Sequence, residues 1–87
     1  MNQISYLTHK IMLQRELVSL LRAAGEKVTE VKYTVEGNKH AKELYTIRMA
    51  SGDIYSIDVT GLMPISSAAK VINYMSHRQE EVNADHL

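Results

Sequence analysis

The segment 31–59 reads VKYTVEGNKHAKELYTIRMASGDIYSIDV, and its hydrophobic pattern decides the fold. Apolar and polar residues alternate in three separate stretches, which is the period of half-buried β-strands. The residues predicted to face inward are Val31, Tyr33 and Val35, then Tyr45, Ile47 and Met49, and finally Tyr55, Ile57 and Val59. Ser51-Gly52 predicts a tight hairpin turn and 37–43 a longer polar loop, so we expect an antiparallel meander.

A first helix is predicted before these strands. Between residues 3 and 24 apolar side chains recur at helical spacing, although Lys10 and Gln14 interrupt the apolar arc. Gly25 follows directly and is a typical stop for a helix, because it adopts the left-handed conformation without strain. The pattern therefore predicts a broad amphipathic helix that presents its apolar side to the sheet.

A second helix is predicted after the strands. Pro64 ends the sheet, and the hydroxyl of Ser66 or Ser67 is predicted to cap the first free amides of this helix. Its apolar stripe consists of Ala68, Val71, Ile72 and Met75. The two helices and the sheet have one apolar face each. All three faces are buried when both helices lie on the same side of the sheet. The predicted fold class is a two-layer α+β domain of the order α-β-β-β-α.

The composition fits one small cytoplasmic domain. The chain has 87 residues, of which 45% are apolar, and it contains no cysteine. We expect a single domain over residues 1–80 and a frayed tail over 81–87. Charged residues interrupt the apolar pattern of the first helix, so no signal peptide or membrane span is predicted. Without cysteine, disulfides and thiolate metal sites are excluded, and a reducing compartment is expected.

The residues capable of chemistry do not converge in the sequence. The four histidines lie in different segments, and His77 with Glu81 lacks a third metal ligand. Asp53 and Asp58 differ in parity along the third strand, so they point to opposite sheet faces and cannot act as a carboxylate pair. We therefore predict a protein that is not an enzyme, with no catalytic residue, metal, cofactor or small-molecule substrate.

The order of elements and two short stretches resemble the double-stranded RNA-binding domain family. In that family a Gly-Pro-x-His loop enters the RNA minor groove, and the loop from Gly37 to His40 here keeps the glycine and histidine without the proline. A Lys-Lys-x-Ala-Lys cluster at the start of the last helix contacts phosphates there, and only Ala69 and Lys70 remain here. The resemblance implies the two-layer fold and recognition of duplex RNA.

Nucleic-acid binding is the alternative function that the residues leave open. The basic residues that could face phosphates of duplex RNA or DNA are Lys39, His40, Lys42 and Lys70. Ten Lys and Arg residues balance ten Asp and Glu residues, however, and two of the three family lysines are missing. Each lost phosphate contact lowers the affinity and its salt dependence. The tyrosines at 33, 45 and 55 share the helix-covered face by parity, so no base-stacking platform is predicted.

The leading prediction is a small binding or regulatory protein that acts through a protein-protein interface. In a three-strand meander the first and third strands are edges, and an exposed regular edge tends to pair with another strand. The first strand is strongly β-forming and free of glycine and proline; its predicted interface residues are Val31, Lys32, Tyr33, Thr34 and Val35. The partner is a target protein, blocked sterically or bridged, or a second copy of the chain in a homodimer.

Overall fold

The structure is a computed structural model that describes the backbone of residues 3–37, 39 and 41–85 and the side chains of residues 6–37, 39 and 41–78. Its elements are α1 (Gln3–Ala23), β1 (Val28–Glu36), β2 (Lys42–Met49), β3 (Ile54–Asp58) and α2 (Pro64–Asp85). This order confirms the predicted α-β-β-β-α fold class. Helix α2 runs to Asp85 and so includes residues 81–85 of the predicted tail, whereas residues 86 and 87 lie outside the described part of the chain. None of the helices within the described residues is long and apolar enough to cross a membrane.

The strands form one antiparallel sheet in the order β1-β2-β3, as the meander predicts. Tyr45 in the central strand lies opposite Tyr33 on one side and Ile57 on the other. In the turn between β2 and β3, the Met49 amide donates to the Asp53 carbonyl over 2.9 Å. Gly52 has a φ of 98° in that turn, a left-handed conformation that costs glycine nothing. The sequence prediction of a tight turn here is confirmed.

Both helices cover the same face of the sheet, and the core lies between them. Its buried residues are Leu17, Leu21, Val28, Val31, Tyr33, Tyr45, Ile47, Met49, Ile57, Val59, Val71 and Met75. Tyr33 and Tyr45 are buried in this core, and Tyr55 packs against it. The prediction that the three strand tyrosines lie on the helix-covered face is therefore confirmed. Their rings belong to the covered face, and the Tyr45 hydroxyl donates to the Lys10 carbonyl over 2.6 Å.

Helix α2 begins earlier than the sequence analysis expected. Its first residue is Pro64, and the Ser67 amide already donates to the Met63 carbonyl over 2.8 Å. Ser67 is fully buried, and its hydroxyl donates to the Pro64 carbonyl instead of accepting from free amides. The prediction of a cap at Ser66 or Ser67 is wrong, because proline at the first helical position has a suitable φ and no amide to satisfy.

Helix α2 is anchored near its C-terminal half by Arg78. The guanidinium Nη2 lies 3.1 Å from an oxygen of Glu26, which precedes β1 and is buried. The same guanidinium stacks over the Tyr55 ring, with 4.9 Å between its central carbon and the ring centroid. These contacts tie α2, whose Val71 and Met75 lie in the core, to β3 and to Glu26 before β1.

Candidate functional site

A cleft of about 460 Å³ opens at the end of the domain where both helices begin. Its lining comes from the N-terminal part of α1, the adjoining ends of β1 and β2, and the loop before α2. Leu7, Val35 and Met63 form an exposed apolar rim, whereas Lys10 and Glu43 form a polar floor. We call this feature the end cleft.

The floor of the end cleft is an ion pair between a buried lysine and a partly buried glutamate, with further hydrogen-bond partners. Lys10 Nζ lies 2.6 Å from Glu43 Oε1, and Lys10 is only 2% exposed. The same carboxylate oxygen accepts a short hydrogen bond from the Tyr33 hydroxyl, and Oε2 accepts one from the Gly61 amide over 2.8 Å. Because the charges are paired and hydrogen-bonded, the cost of burying them is offset within the protein.

The surroundings of this network set the protonation state of each acid. Burial by itself raises the pKa of Glu43, but hydrogen bonds from Lys10, Tyr33 and the Gly61 amide, together with the Lys10 charge, hold that pKa below its ordinary value. The pKa of Tyr33 is raised, first by burial and then by the hydrogen bond and charge of Glu43. Near neutral pH Glu43 is therefore a carboxylate, and the Tyr33 phenol donates a hydrogen bond to it.

Sequence reasoning does not find this network. In the sequence pattern Lys10 is only an interruption of the apolar arc of α1, and Glu43 is only the end of a polar loop. A charged residue in a helix position that faces the core is a signal of its own, because a buried charge requires a partner. The pattern cannot identify that partner, since Glu43 is 33 residues away from Lys10 along the chain.

The predicted interface on β1 is largely covered by α1. Val31 is only 4% and Tyr33 only 8% exposed, counting their backbone atoms. The outward-facing amide of Tyr33 donates to Oε1 of Gln14 over 2.6 Å. Lys32 and Val35 are exposed and Thr34 is half-buried. A partner strand could reach the centre of this edge only if Gln14 moved away.

The predicted phosphate-facing residues are brought together in part. Lys39 is exposed in the loop after β1, and His40 lies outside the described residues. Lys70 donates a hydrogen bond to the Asp58 carbonyl. The pKa of Asp58 is lowered, first by hydrogen bonds from Thr60 and then by the charges of Lys42 and Lys70. The charges of Lys42 and Lys70 therefore both lie near the Asp58 carboxylate at the end of β3.

Two further observations bear on the function. Among the described side chains, no group of three or more His, Cys, Asp or Glu residues is placed to hold a metal ion. Comparisons of the chain with protein-family models, with curated proteins and with solved structures find no match.

Proposed function

We propose that this protein is a non-enzymatic protein-binding domain that acts through the end cleft. The observation that supports this proposal is the convergence of Leu7, Val35 and Met63, which come from three separate segments and are each between 39% and 53% exposed. Single exposed apolar side chains are ordinary, but a cluster of them around a concavity is typical of an interaction site. The two rim residues nearest the loops, Val35 and Met63, are accessible from outside the domain.

The floor of the end cleft defines the chemistry of the partner. Lys10 and Glu43 already neutralise each other, and the remaining lining is mostly apolar. A charged group entering this site would lose its hydration without gaining an unpaired counter-ion. The partner therefore presents an uncharged apolar side chain. The exposed rim extends the contact beyond the cleft, which suits a protein surface better than an enclosed small molecule.

Binding of this kind acts by occupying a surface of the partner. A domain of 87 residues can cover a functional surface on a larger protein and block it, or bridge it to another protein. Either action requires no reaction at the end cleft. The lack of cysteine in the chain is consistent with a cytoplasmic setting, where thiols and disulfides are not needed for stability.

A peptide selection tests whether the end cleft binds apolar anchors. The immobilised protein is used to select binders from a random displayed-peptide library, and one enriched peptide is then titrated calorimetrically. We expect the enriched peptides to share a large apolar anchor. Val35→Glu and Met63→Glu should each lower the affinity for the titrated peptide by about tenfold or more. The introduced carboxylate would lose its hydration when the apolar anchor of the peptide covers it.

Leu20→Glu is the matched control for these variants. Leu20 is an exposed apolar residue on α1 that lies outside the end cleft, so its charge should leave the affinity unchanged. The proposal is contradicted if no peptide is enriched over an unrelated immobilised domain. It is also contradicted if the selected peptide binds the control and the two rim variants equally well.

A second candidate is binding of duplex RNA or DNA through Lys39, Lys42 and Lys70. It is favoured by the position of Lys42 and Lys70, whose charges both lie near Asp58 at the end of β3. Titration with duplex RNA and DNA at about 50 mM and about 200 mM salt tests it, because phosphate-led affinity falls steeply over that range. Absence of binding at micromolar protein in the lower salt would exclude this candidate.

A further inference from the structure

The outer edge of β3 differs from that of β1. The Val59 amide donates to the Glu43 carbonyl over 2.9 Å, which sets the alternation of hydrogen bonds between β2 and β3. In an antiparallel ladder, alternate residues direct their backbone groups toward the neighbouring strand and away from it. The amides and carbonyls of Ile54, Ser56 and Asp58 therefore point away from β2, toward the open side of the sheet.

The outward backbone groups of two of these three residues, Ile54 and Ser56, are uncovered. The Asp58 carbonyl accepts a hydrogen bond from Lys70. Within the described part of the chain, no such contact reaches the outward groups of Ile54 or Ser56, and Ile54 is 55% exposed. The edge of β1, in contrast, is covered at Val31 and Tyr33 by α1. Uncovered edge groups of this kind pair readily with another strand.

The open edge of β3 is complementary to itself. If a second copy runs antiparallel about a two-fold axis at Tyr55, Ile54 of each copy lies opposite Ser56 of the other. The two outward amides and two outward carbonyls of each edge then pair in four hydrogen bonds. Tyr55 lies opposite its own equivalent, in the closely spaced position where aromatic cross-strand pairs stabilise a sheet.

The charges beside the edge follow the same symmetry. Lys70 lies at one end of β3, where its ammonium group reaches the Asp58 carbonyl. Asp53 immediately precedes the other end of β3, and its exposed carboxylate accepts a hydrogen bond from the Ser51 hydroxyl. The two-fold axis at Tyr55 brings Lys70 of each copy to Asp53 of the other. Opposite charges that meet across an interface set its register and disfavour other arrangements.

Aromatic side chains flank the same axis. The Tyr55 ring packs against Tyr74 of α2, with 6.2 Å between the ring centroids, and Tyr74 is exposed. Tyrosine near the centre of an interface contributes a large contact area and loses little conformational entropy. The exposed tyrosine therefore extends the contact from the strand to the helix beneath it.

We propose that two copies of this chain pair through β3 about a two-fold axis at Tyr55, which joins the three strands of each copy into one continuous sheet. This surface is separate from the end cleft, so a dimer can bind partner proteins with both clefts. Because β3 has only five residues, the contact is small, and the dimer dissociates on dilution.

Sedimentation equilibrium over a wide concentration range tests the dimer and its register. Lys70→Glu and Asp53→Lys each place like charges opposite one another, and each should weaken dimerisation by about tenfold. The double variant K70E/D53K restores opposite charges and should recover most of the affinity. Lys32→Glu, an exposed lysine in β1 on the opposite side of the sheet from β3, should leave dimerisation unchanged.

The proposal is overturned if the protein remains a 9.9 kDa species at millimolar concentration. It is equally overturned if the double variant dimerises no better than the single variants, since a general effect on folding would not be rescued by reversal of the charges. Dimerisation that Lys32→Glu weakens as much as Lys70→Glu would also contradict pairing through β3.

A backbone variant provides an independent test. Ser56→Pro removes an outward amide without breaking a hydrogen bond to β2, and it should abolish the dimer, whereas Ser56→Thr should retain it. If the proline variant does not fold, hydrogen exchange of the unmodified protein decides the question. The Ser56 amide should be protected at high protein concentration and exposed at low concentration. Exchange that is independent of concentration would overturn the proposal.

Discussion

Lys10 and Glu43 form an ion pair of 2.6 Å between Nζ and Oε1 that joins α1 to the start of β2 beneath the end cleft. Hydrogen bonds from Tyr33 and from the amide of Gly61 attach β1 and the loop before α2 to the same carboxylate. One partly buried acid thus connects the four segments that line the end cleft.

Removal of one partner of this pair should be more harmful than removal of both. Lys10→Met leaves the partly buried Glu43 carboxylate without its charged partner, and we expect a loss of about 1–3 kcal/mol in the free energy of unfolding. In the double variant K10M/E43L both charges are gone, so the loss should be smaller. Urea unfolding followed by circular dichroism measures both effects. A double variant less stable than Lys10→Met would contradict this account.

Stability should fall at acidic pH because of Glu43. Its pKa in the folded protein lies below the ordinary value of 4.5, so the unfolded chain binds a proton more readily than the folded chain does. The stabilisation is complete above that ordinary value and is lost as the pH falls through the lower folded pKa. Glu43→Gln should flatten the acid side of the stability profile. An unchanged acid slope in that variant would contradict this assignment.

Stability should also fall at alkaline pH because of the buried tyrosines. Burial raises the pKa of Tyr45 from 10.0 to about 12, and it also raises the pKa of Tyr33. The folded state thus keeps these protons longer than the unfolded state, so the stabilisation is present below pH 10 and is lost as the pH rises toward the folded values. Ultraviolet titration of tyrosinate measures this directly. Tyrosines that all ionise near 10 in the folded protein would contradict it.

Gln14 should protect the edge of β1. Its Oε1 accepts the hydrogen bond from the outward amide of Tyr33, so Gln14→Ala should cost about 1 kcal/mol of stability and speed the exchange of that amide. Gln14→Glu is the matched control because it keeps an acceptor of the same length. Hydrogen exchange resolved by residue gives the measurement. Equal exchange of the Tyr33 amide in the alanine and glutamate variants would contradict the assignment.

Arg78 should anchor α2. Arg78→Ala removes both the ion pair with Glu26 and the stacking on Tyr55, and we expect a loss of about 2 kcal/mol in stability. Arg78→Lys keeps the charge but not the flat stacking group, so its stability should be intermediate. Thermal unfolding of the three proteins gives the order. A lysine variant as unstable as the alanine variant would contradict a contribution from the charge alone. The whole loss of stability would then come from the flat guanidinium and its stacking.

The local pattern of the sequence predicted the elements well and their ends less well. Alternation with a period of two identified the three strands and put Tyr33, Tyr45 and Tyr55 on the covered face, because parity depends only on the pleat of a strand. The start of α2 was missed, since Pro64 can end a strand or begin a helix. The difference is decided by whether the Ser67 amide finds the Met63 carbonyl, which is a property of the folded backbone.

The sequence by itself determined the α+β class, the order of the strands and the inward face of each strand, because these follow from periodicity and turn residues that act over a few positions. Only the tertiary structure decided which sheet edge is open. The sequence favoured β1, whose residues pair most readily, but Gln14 reaches the Tyr33 amide and α1 buries that edge. The tertiary structure also decided that Lys10 meets Glu43. The free energy of burying the lysine charge depends on a partner that is 33 residues away in the chain.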